Sequence, residues 1–270
     1  MADRPTLLRV EHLRKVYESD IGDVEAIGDV SFTMEAGELV CIVGPSGCGK
    51  TTLLKCIAGL LRPTSGTIEI FGSVVTGPTP AMALVFQEYG RSLYPWLTVE
   101  ENVALPLRHK KLERAHRDRL VYDSLEAVGL LHAARQHPWQ LSGGMQQRVA
   151  IARAIAYEPE VLIMDEPFAA VDAQTRAELE DLVRELHLAR KISLLFVTHD
   201  IDESVYLGER VLVLSKSPTV VLEDVVVDLP ADRDQITTRS LPRFAELRTR
   251  VYGHIQRAKQ GEAVTTPTSS

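Results

Sequence analysis

The sequence predicts an α/β fold, with a parallel-sheet core, antiparallel strands beside it and a helical block inserted between core strands. Three observations predict it. Leu39-Val40-Cys41-Ile42-Val43 passes through Gly44-Pro45-Ser46-Gly47-Cys48-Gly49-Lys50-Thr51 into Thr52-Leu53-Leu54-Lys55-Cys56-Ile57-Ala58, so a buried strand, a glycine loop and a helix follow one another. Two later apolar runs, Val161-Leu162-Ile163-Met164 and Ile192-Ser193-Leu194-Leu195-Phe196-Val197, end on Asp165-Glu166 and on His199. Polar groups at the C-terminal ends of parallel strands sit where α/β sheets bind ligands. Between about residues 88 and 157 the apolar positions, among them Val99, Val103, Leu107, Leu120, Leu125, Val128 and Leu130, recur at helical spacing.

Bulk properties narrow the class. A chain of 270 residues with 45% apolar and 25% charged residues can bury one large core. A formal net charge of -7 argues against nucleic acid as the main partner. No run approaches the length of a bilayer span, and Met1-Ala2-Asp3-Arg4-Pro5 lacks the apolar stretch of a signal peptide. The three cysteines, Cys41, Cys48 and Cys56, cluster around the glycine loop without metal-ligand spacing and read as reduced thiols.

In chain order, Leu8 to Leu13 and Val30 to Met34 alternate as strands, and Tyr17 falls between them. An aromatic face there could stack a purine base, or simply pack on the sheet edge. Glu35-Ala36-Gly37-Glu38 turns into the next strand. The loop after it fits G-x-x-x-x-G-K-[ST], the phosphate-cradling P-loop: backbone N–H groups and a helix start attract anions, Lys50 reaches the outer phosphates, and the Thr51 hydroxyl is placed for Mg²⁺. Thr67 to Gly72 and Ala83-Leu84-Val85-Phe86 are further strands, the second followed by Gln87. In Ser92-Leu93-Tyr94-Pro95-Trp96-Leu97-Thr98, large apolar residues surround a proline, as the cap of a core or as an exposed partner patch.

Leu141-Ser142-Gly143-Gly144-Met145-Gln146-Gln147-Arg148 then opens a helix expected to reach Ala156. Ser142 is a good N-cap, but two glycines cost about 1 kcal/mol each in helix propensity, so a second anion site is the better explanation. At Asp165-Glu166-Pro167, one carboxylate can hold Mg²⁺ and the next can take a proton from water. A helix from about Gln174 to Ala189 buries Leu179, Leu182, Val183 and Leu186. His199, one step past a strand, can reach a γ-phosphate. Val211 to Leu214 and Thr219 to Leu222 read as edge strands, and Ser240-Leu241-Pro242 opens an amphipathic helix carrying Phe244, Leu247, Val251, Tyr252 and Ile255.

The order of these parts resembles the nucleotide-binding subunit of an ATP-binding cassette transporter over about residues 5–230. Tyr17 matches that family's A-loop, Gly44, Pro45, Ser46, Gly47, Cys48, Gly49, Lys50, Thr51 and Thr52 its Walker A, and Gln87 its Q-loop. Leu141 to Arg148 matches the signature, Leu162 to Glu166 the Walker B, Asp172 the D-loop and His199 the H-loop. The signature ahead of Asp165-Glu166-Pro167 is the specific feature, since a P-loop alone occurs in many NTPases. Pro95-Trp96-Leu97-Thr98-Val99, Glu166-Pro167-Phe168, Asp172-Ala173-Gln174-Thr175-Arg176 and Asp232-Arg233-Asp234-Gln235-Ile236 make the chain similar to importer ATPases for nitrate, sulfonates and taurine. Met145 replaces the family's usual glutamine, and Ala169-Ala170-Val171-Asp172 departs from Ser-Ala-Leu-Asp.

The resemblance implies a P-loop NTPase (RecA-like) core with a flanking antiparallel β-subdomain and an inserted helical subdomain at about 88–157. A helical extension at 231–258 and a disordered tail at 259–270 complete the expected organisation. It implies ATP and Mg²⁺ as cofactors, with Thr51, Gln87 and Asp165 at the metal. Glu166 would be general base, His199 would hold the γ-phosphate, and Gln87 would sense the metal and the attacking water. It implies two cassettes head to tail, each ATP lying between one chain's Walker motifs and the other's Ser142, Gly143 and Gly144. It further implies permease subunits contacting Tyr94, Pro95 and Trp96, a solute-binding protein acting indirectly, no nucleic acid, and a peripheral position on the cytoplasmic face of the inner membrane. A soluble cassette protein and a metabolic P-loop kinase are the competing readings. The first usually carries two cassettes per chain, and the second leaves the Leu141-Ser142-Gly143-Gly144 stretch without a task.

Overall fold

The computed structural model describes residues 4–19, 22–87 and 92–260, which divide into two compact units, one of residues 1–79 with 196–270 and one of residues 80–195. Most of the expected tail, and the first residues of the expected helical block, fall outside the described residues.

In the first unit, β1 (Thr6–Tyr17) and β2 (Val24–Glu35) form a long antiparallel hairpin, and β4 (Ser65–Ile70) and β5 (Ser73–Val74) extend it beyond β1. Both hairpin strands are twelve residues, longer than their alternating cores, and Tyr17 ends β1 opposite Val24 rather than lying between strands. On the other side of β2 lie β10 (Thr219–Val226), β9 (Arg210–Leu214) and β3 (Leu39–Val43), with β3 parallel to β9. The two runs expected at a sheet edge are therefore interior, since β9 is bonded on both sides and β10 joins it to β2. Their length and apolarity suit either place; what decides is that β3, buried at all five positions, takes β9 as its parallel neighbour.

A charged clamp fixes the entry to β3. Arg210, at the start of β9, donates through Nη1 to Glu38 Oε1 at 2.8 Å and through Nη2 to Asp224 Oδ2 at 2.5 Å. Both carboxylates raise the basicity of the guanidinium, and Glu38 Oε2 accepts from Glu35 N–H at 2.8 Å, closing the turn. From β3 the chain passes through the glycine loop into α1 (Lys50–Ile57). The three cysteines are buried and unbridged, and burial pushes the Cys56 thiol up to about 11.

In the second unit, β6 (Met82–Val85) pairs in parallel with β7 (Val161–Asp165), aligning Val85 with Met164. Only Val85 of the run expected to be buried is fully covered, and Phe86 is exposed. Between these strands lie α2 (Val99–Ala104), α3 (Arg114–Ala127) and α4 (Gly143–Ala156), joined by short 3₁₀ turns. The expected stripe of Val99, Val103, Leu107, Leu125, Val128 and Leu130 is its buried core, with Leu120 half-buried. α5 (Ala173–Arg190) buries Leu179, Leu182, Val183 and Leu186.

β8 (Ser193–Thr198) carries the chain back into the first unit, where α6 (Ile201–Leu207) and α7 (Pro242–Gln260) complete it. α7 packs on α6, β9 and β10 through Phe244, Leu247, Val251 and Ile255, but Tyr252 points away and is exposed. The extension expected from residue 231 becomes helical only at Pro242. Among the described residues, no helix is long and apolar enough to cross a membrane.

Candidate functional site

Within the first unit the glycine loop is shaped for an anion and held from behind. Gly47 has φ +74° and Gly49 φ +101°, conformations that side chains with a Cβ resist. Gly49 is the N-cap of α1, so the cap carries no side chain that would compete for the first N–H groups. Lys50 is buried and its Nζ donates to the carbonyls of Gly44 at 3.0 Å and Pro45 at 3.2 Å, keeping the ammonium over the loop. Thr51 is exposed on the first turn. A Cβ on Gly44 would meet Cys48 Sγ at 2.9 Å and Leu214 Cβ at 3.0 Å, and one on Gly49 would meet Ala26 O and Thr219 Oγ1, each at 3.1 Å.

Sequence reasoning missed Thr219. Its hydroxyl contacts the Cys48 carbonyl and donates to Ala26 O at 3.0 Å, while Ser217 Oγ donates to Glu25 O at 2.8 Å. The turn between β9 and β10 thus grips the underside of the loop. The only local signal was a short polar break, Ser215-Lys216-Ser217-Pro218, between two apolar runs.

Tyr17 belongs to the same neighbourhood. Its hydroxyl lies 3.2 Å from Thr52 Oγ1, and Lys15 Nζ stands 5.3 Å from its ring centroid. The ring is 41% exposed, which leaves a face open to solvent. His199 follows β8 directly and is exposed. It borders a cleft of about 550 Å³ shared with Asp200, Ile201, Asp202 and, from α7, Arg248, Thr249 and Tyr252.

Within the second unit the carboxylates occupy one sheet edge. Asp165 ends β7 and is 7% exposed; Glu166 follows it. Gln87, exposed, lies two residues beyond the end of β6, and the parallel register of β6 and β7 puts it at that same edge. Glu166 has φ +44°, a left-handed conformation costing a non-glycine residue about 1 kcal/mol. Strain of this kind concentrates where a side chain must be aimed.

The second glycine stretch is tied to α5. Ser142 caps α4 by accepting from Met145 N–H at 3.3 Å, and Gly143 is the helix's first residue. A Cβ on Gly144 would lie 2.4 Å from Thr175 Cγ2. Thr175 donates its N–H to Asp172 Oδ1 at 3.0 Å and its hydroxyl to Oδ2 at 2.7 Å. These bonds hold the Asp172 carboxyl below the usual carboxylate range. Ser142, Gly143, Gly144 and Asp172 thus form one packed corner.

The Tyr94-Pro95-Trp96 segment is exposed and braced. Tyr94 and Trp96 meet edge-on with centroids 5.2 Å apart, and Trp96 is 69% exposed. Beneath them is Asn102, fully buried and not singled out from the sequence. Its Oδ1 accepts from Tyr94 N–H at 2.8 Å, and its Nδ2 donates to the carbonyls of Tyr94, Leu97 and Thr98 at 3.1, 3.2 and 3.0 Å. Arg153 on α4 donates to Ser92 O at 2.6 Å and to Ser92 Oγ at 2.7 Å, and its burial lowers the basicity of the guanidinium.

The family model described as "ABC transporter" matches residues 27–169. The chain is 42% identical over 233 residues to the nitrate import ATP-binding protein NrtD of Synechocystis, covering 86% of this chain and 87% of that protein. It is 45% identical over 223 residues to the aliphatic sulfonates import ATP-binding protein SsuB of Bacillus licheniformis, covering 83% and 84%. Among solved structures it is similar to an ATP-binding cassette in a dimeric post-hydrolysis state bound to ADP and Pi. That match has a TM-score of 0.71 at 32% identity and covers 82% of this chain and 99% of that one.

Proposed function

This chain belongs to the ABC transporter family, and from that premise we propose that it is the ATP-hydrolysing subunit of an importer for a small oxyanion, nitrate or a sulfonate. The observation that carries the reading is a pair of glycine-opened helix starts, the P-loop in one unit and Ser142-Gly143-Gly144 in the other. Both suit phosphate, and the family's cassettes associate as dimers, as the solved neighbour does. Each ATP lies between one copy's residues 44–52 and the other copy's Ser142, Gly143 and Gly144, so ATP joins the pair and hydrolysis releases it.

The roles follow from each group's chemistry. Tyr17 offers a ring for the base. Gly44, Pro45, Ser46, Gly47, Cys48, Gly49, Thr51 and Thr52 build the cradle, and Lys50 neutralises the outer phosphates. Glu166 accepts the proton of the attacking water, and His199 and Gln87 orient the γ-phosphate and that water. Among the described residues, no three His, Cys, Asp or Glu side chains gather as a metal cluster. Mg²⁺ keeps few protein ligands, and Thr51, Asp165 and Gln87 are oxygen donors of the required kind. When bound, Mg²⁺ neutralises charge developing on the phosphate oxygens.

Tyr94, Pro95 and Trp96, exposed on the surface, face the permease subunits at the membrane's inner face, and the solute-binding protein is linked only through those subunits. The absence of an account for Ser142-Gly143-Gly144 in a metabolic kinase disfavours that alternative. Glu166→Gln tests the assignment: ATP binding persists and an ATP-dependent dimer accumulates, read by calorimetry and sedimentation. Rapid turnover in that variant refutes Glu166 as base.

A further inference from the structure

One exposed tryptophan remains without a role. Trp139 is 70% exposed, and only Trp96 shares its residue type in this chain. An indole held in water is unusual unless something covers it, and tryptophan is the residue most enriched in interface hot spots.

Trp139 is rigidly mounted. It is the centre of the 3₁₀ turn Pro138–Gln140. Gln140 N–H donates to His137 O at 2.9 Å, and His137 N–H donates to Gln140 Oε1 at 2.8 Å. The His137 imidazole stacks on the indole, with centroids 5.9 Å apart and planes 24° apart. From α4, Gln146 Nε2 donates to the carbonyls of Pro138 at 3.0 Å and Leu141 at 3.3 Å. Gln146 N–H also donates to Ser142 O at 2.9 Å. The turn and the Ser142 cap are therefore one hydrogen-bonded piece, which fixes the ring relative to the cap.

We propose that the stacked His137–Trp139 pair is part of the surface that closes on a second copy of this chain. It extends the contact that Ser142, Gly143 and Gly144 make with that copy and its nucleotide. The inference rests on the head-to-tail reading given under Proposed function. Continuity selects the occupant, because the ring shares a rigid mount with the residues assigned to that contact. Pre-organisation adds to the case: an ordered ring loses little freedom on association, so its burial counts almost fully toward affinity. A nucleotide held by the second copy also brings flat and hydroxyl-bearing groups that an indole and an imidazole can contact.

The chain's two tryptophans make the test direct. The full-length Trp96→Phe, Glu166→Gln protein carries Trp139 as its sole indole. It is mixed with MgATP without permease, and sedimentation and acrylamide quenching are read on one sample. The expected result is a dimer in which Trp139 is protected from acrylamide severalfold and emits at shorter wavelength. In the Glu166→Gln background, Trp139→Ala is expected to weaken the dimer by about tenfold or more. Trp139→Phe recovers most of that loss, and monomer ATP affinity is unchanged in both. A dimer with Trp139 as open to acrylamide as in the monomer overturns the inference and leaves the head-to-tail reading intact. Protection that appears only when permease is added assigns the ring to the permease and also overturns it. ATP binding with no dimer at all overturns the head-to-tail reading itself, and this inference with it.

Discussion

A methyl group added at position 144 would lie 2.4 Å from Thr175 Cγ2, well inside contact distance. The obstacle is a β-branched side chain whose hydroxyl and N–H are both committed to Asp172, so it cannot rotate aside without breaking that cap. Gly144→Ala is therefore expected to keep ATP binding, which belongs to the P-loop, while ATP-driven dimerisation and turnover fall by about tenfold or more. Thr175→Ser removes the offending methyl and keeps the hydroxyl, so the double variant should regain most of the activity. Calorimetry beside a steady-state phosphate-release assay checks both arms. Gly49 behaves differently. Its φ of +101° and the backbone oxygen of Ala26, 3.1 Å from an added Cβ, leave no neighbour to trim. Gly49→Ala should weaken ATP binding itself, with no second-site rescue at residue 219. Lys50→Ala should abolish that binding, because it removes the ammonium that the Gly44 and Pro45 carbonyls hold over the loop.

The segment holding Tyr94, Pro95 and Trp96 owes its shape to one buried amide. Replacing Asn102 with Ala removes its hydrogen bonds and leaves the carbonyls of Tyr94, Leu97 and Thr98 without this donor in a closed site. The carbonyls of Tyr94 and Thr98 keep the N–H groups of Leu97 and Asn102 as donors, so the loss falls on Tyr94 N–H and Leu97 O, and about 2 kcal/mol in unfolding free energy is expected from such groups at about 1–3 kcal/mol. Permease-dependent stimulation of ATPase should fall further than basal ATPase, as measured in membranes against the free subunit. α7 is expected to respond to pH instead. Burial pushes the His254 imidazole below 6.5; Glu223 on β10 opposes this, and Arg257 and Arg250 on its own helix reinforce it. Between the folded and unfolded values, the undocked helix binds more protons than the docked one. Docking therefore weakens as pH falls below 6.5 and levels off below the folded value. Amide exchange in residues 242–260, corrected for intrinsic rates, should be faster at about pH 5.5 than at about pH 7.5, and His254→Gln should flatten the difference. These elements also show what the sequence carried and what it did not. The P-loop, the Ser142 cap and the polar ends of β7 and β8 were legible because each is a local punctuation of an apolar run. The interior place of β9 and β10 was not, because apolarity reports burial and not which strand is the neighbour. Thr219 and Arg153 stayed hidden because their partners lie in other segments, Asn102 because residue type does not say that its amide turns back on the loop just before its own helix, and the left-handed backbone of Glu166 leaves no mark in residue type.

For the whole molecule, the proposed function says that one chain builds two half-sites and completes neither. A symmetric pair repeats every contact twice, so two different lesions in different chains can sort into opposite sites. A Lys50→Ala chain has no working cradle but an intact Ser142 corner. A Ser142→Arg chain is the reverse, with a guanidinium in place of the hydroxyl that accepts from Met145 N–H. Each homodimer should be inactive. In the mixed dimer, one site receives both lesions and the other receives none. Random mixing then gives half the dimers one sound site of two, so about a quarter of wild-type turnover is the ceiling if the sites work independently. If both must fire together, the mixture stays near zero while ATP is still held at the sound site, which nucleotide trapping separates from loss of binding. Turnover above that ceiling, near half the wild-type rate at equal amounts, would mean that a cradle works without any Ser142 corner, because only then could Ser142→Arg chains hydrolyse ATP unaided. Phosphate release followed across mixing ratios decides it: paired sites give a curve that vanishes at both ends and peaks at equal amounts, whereas self-sufficient chains give a straight line rising with the Ser142→Arg fraction.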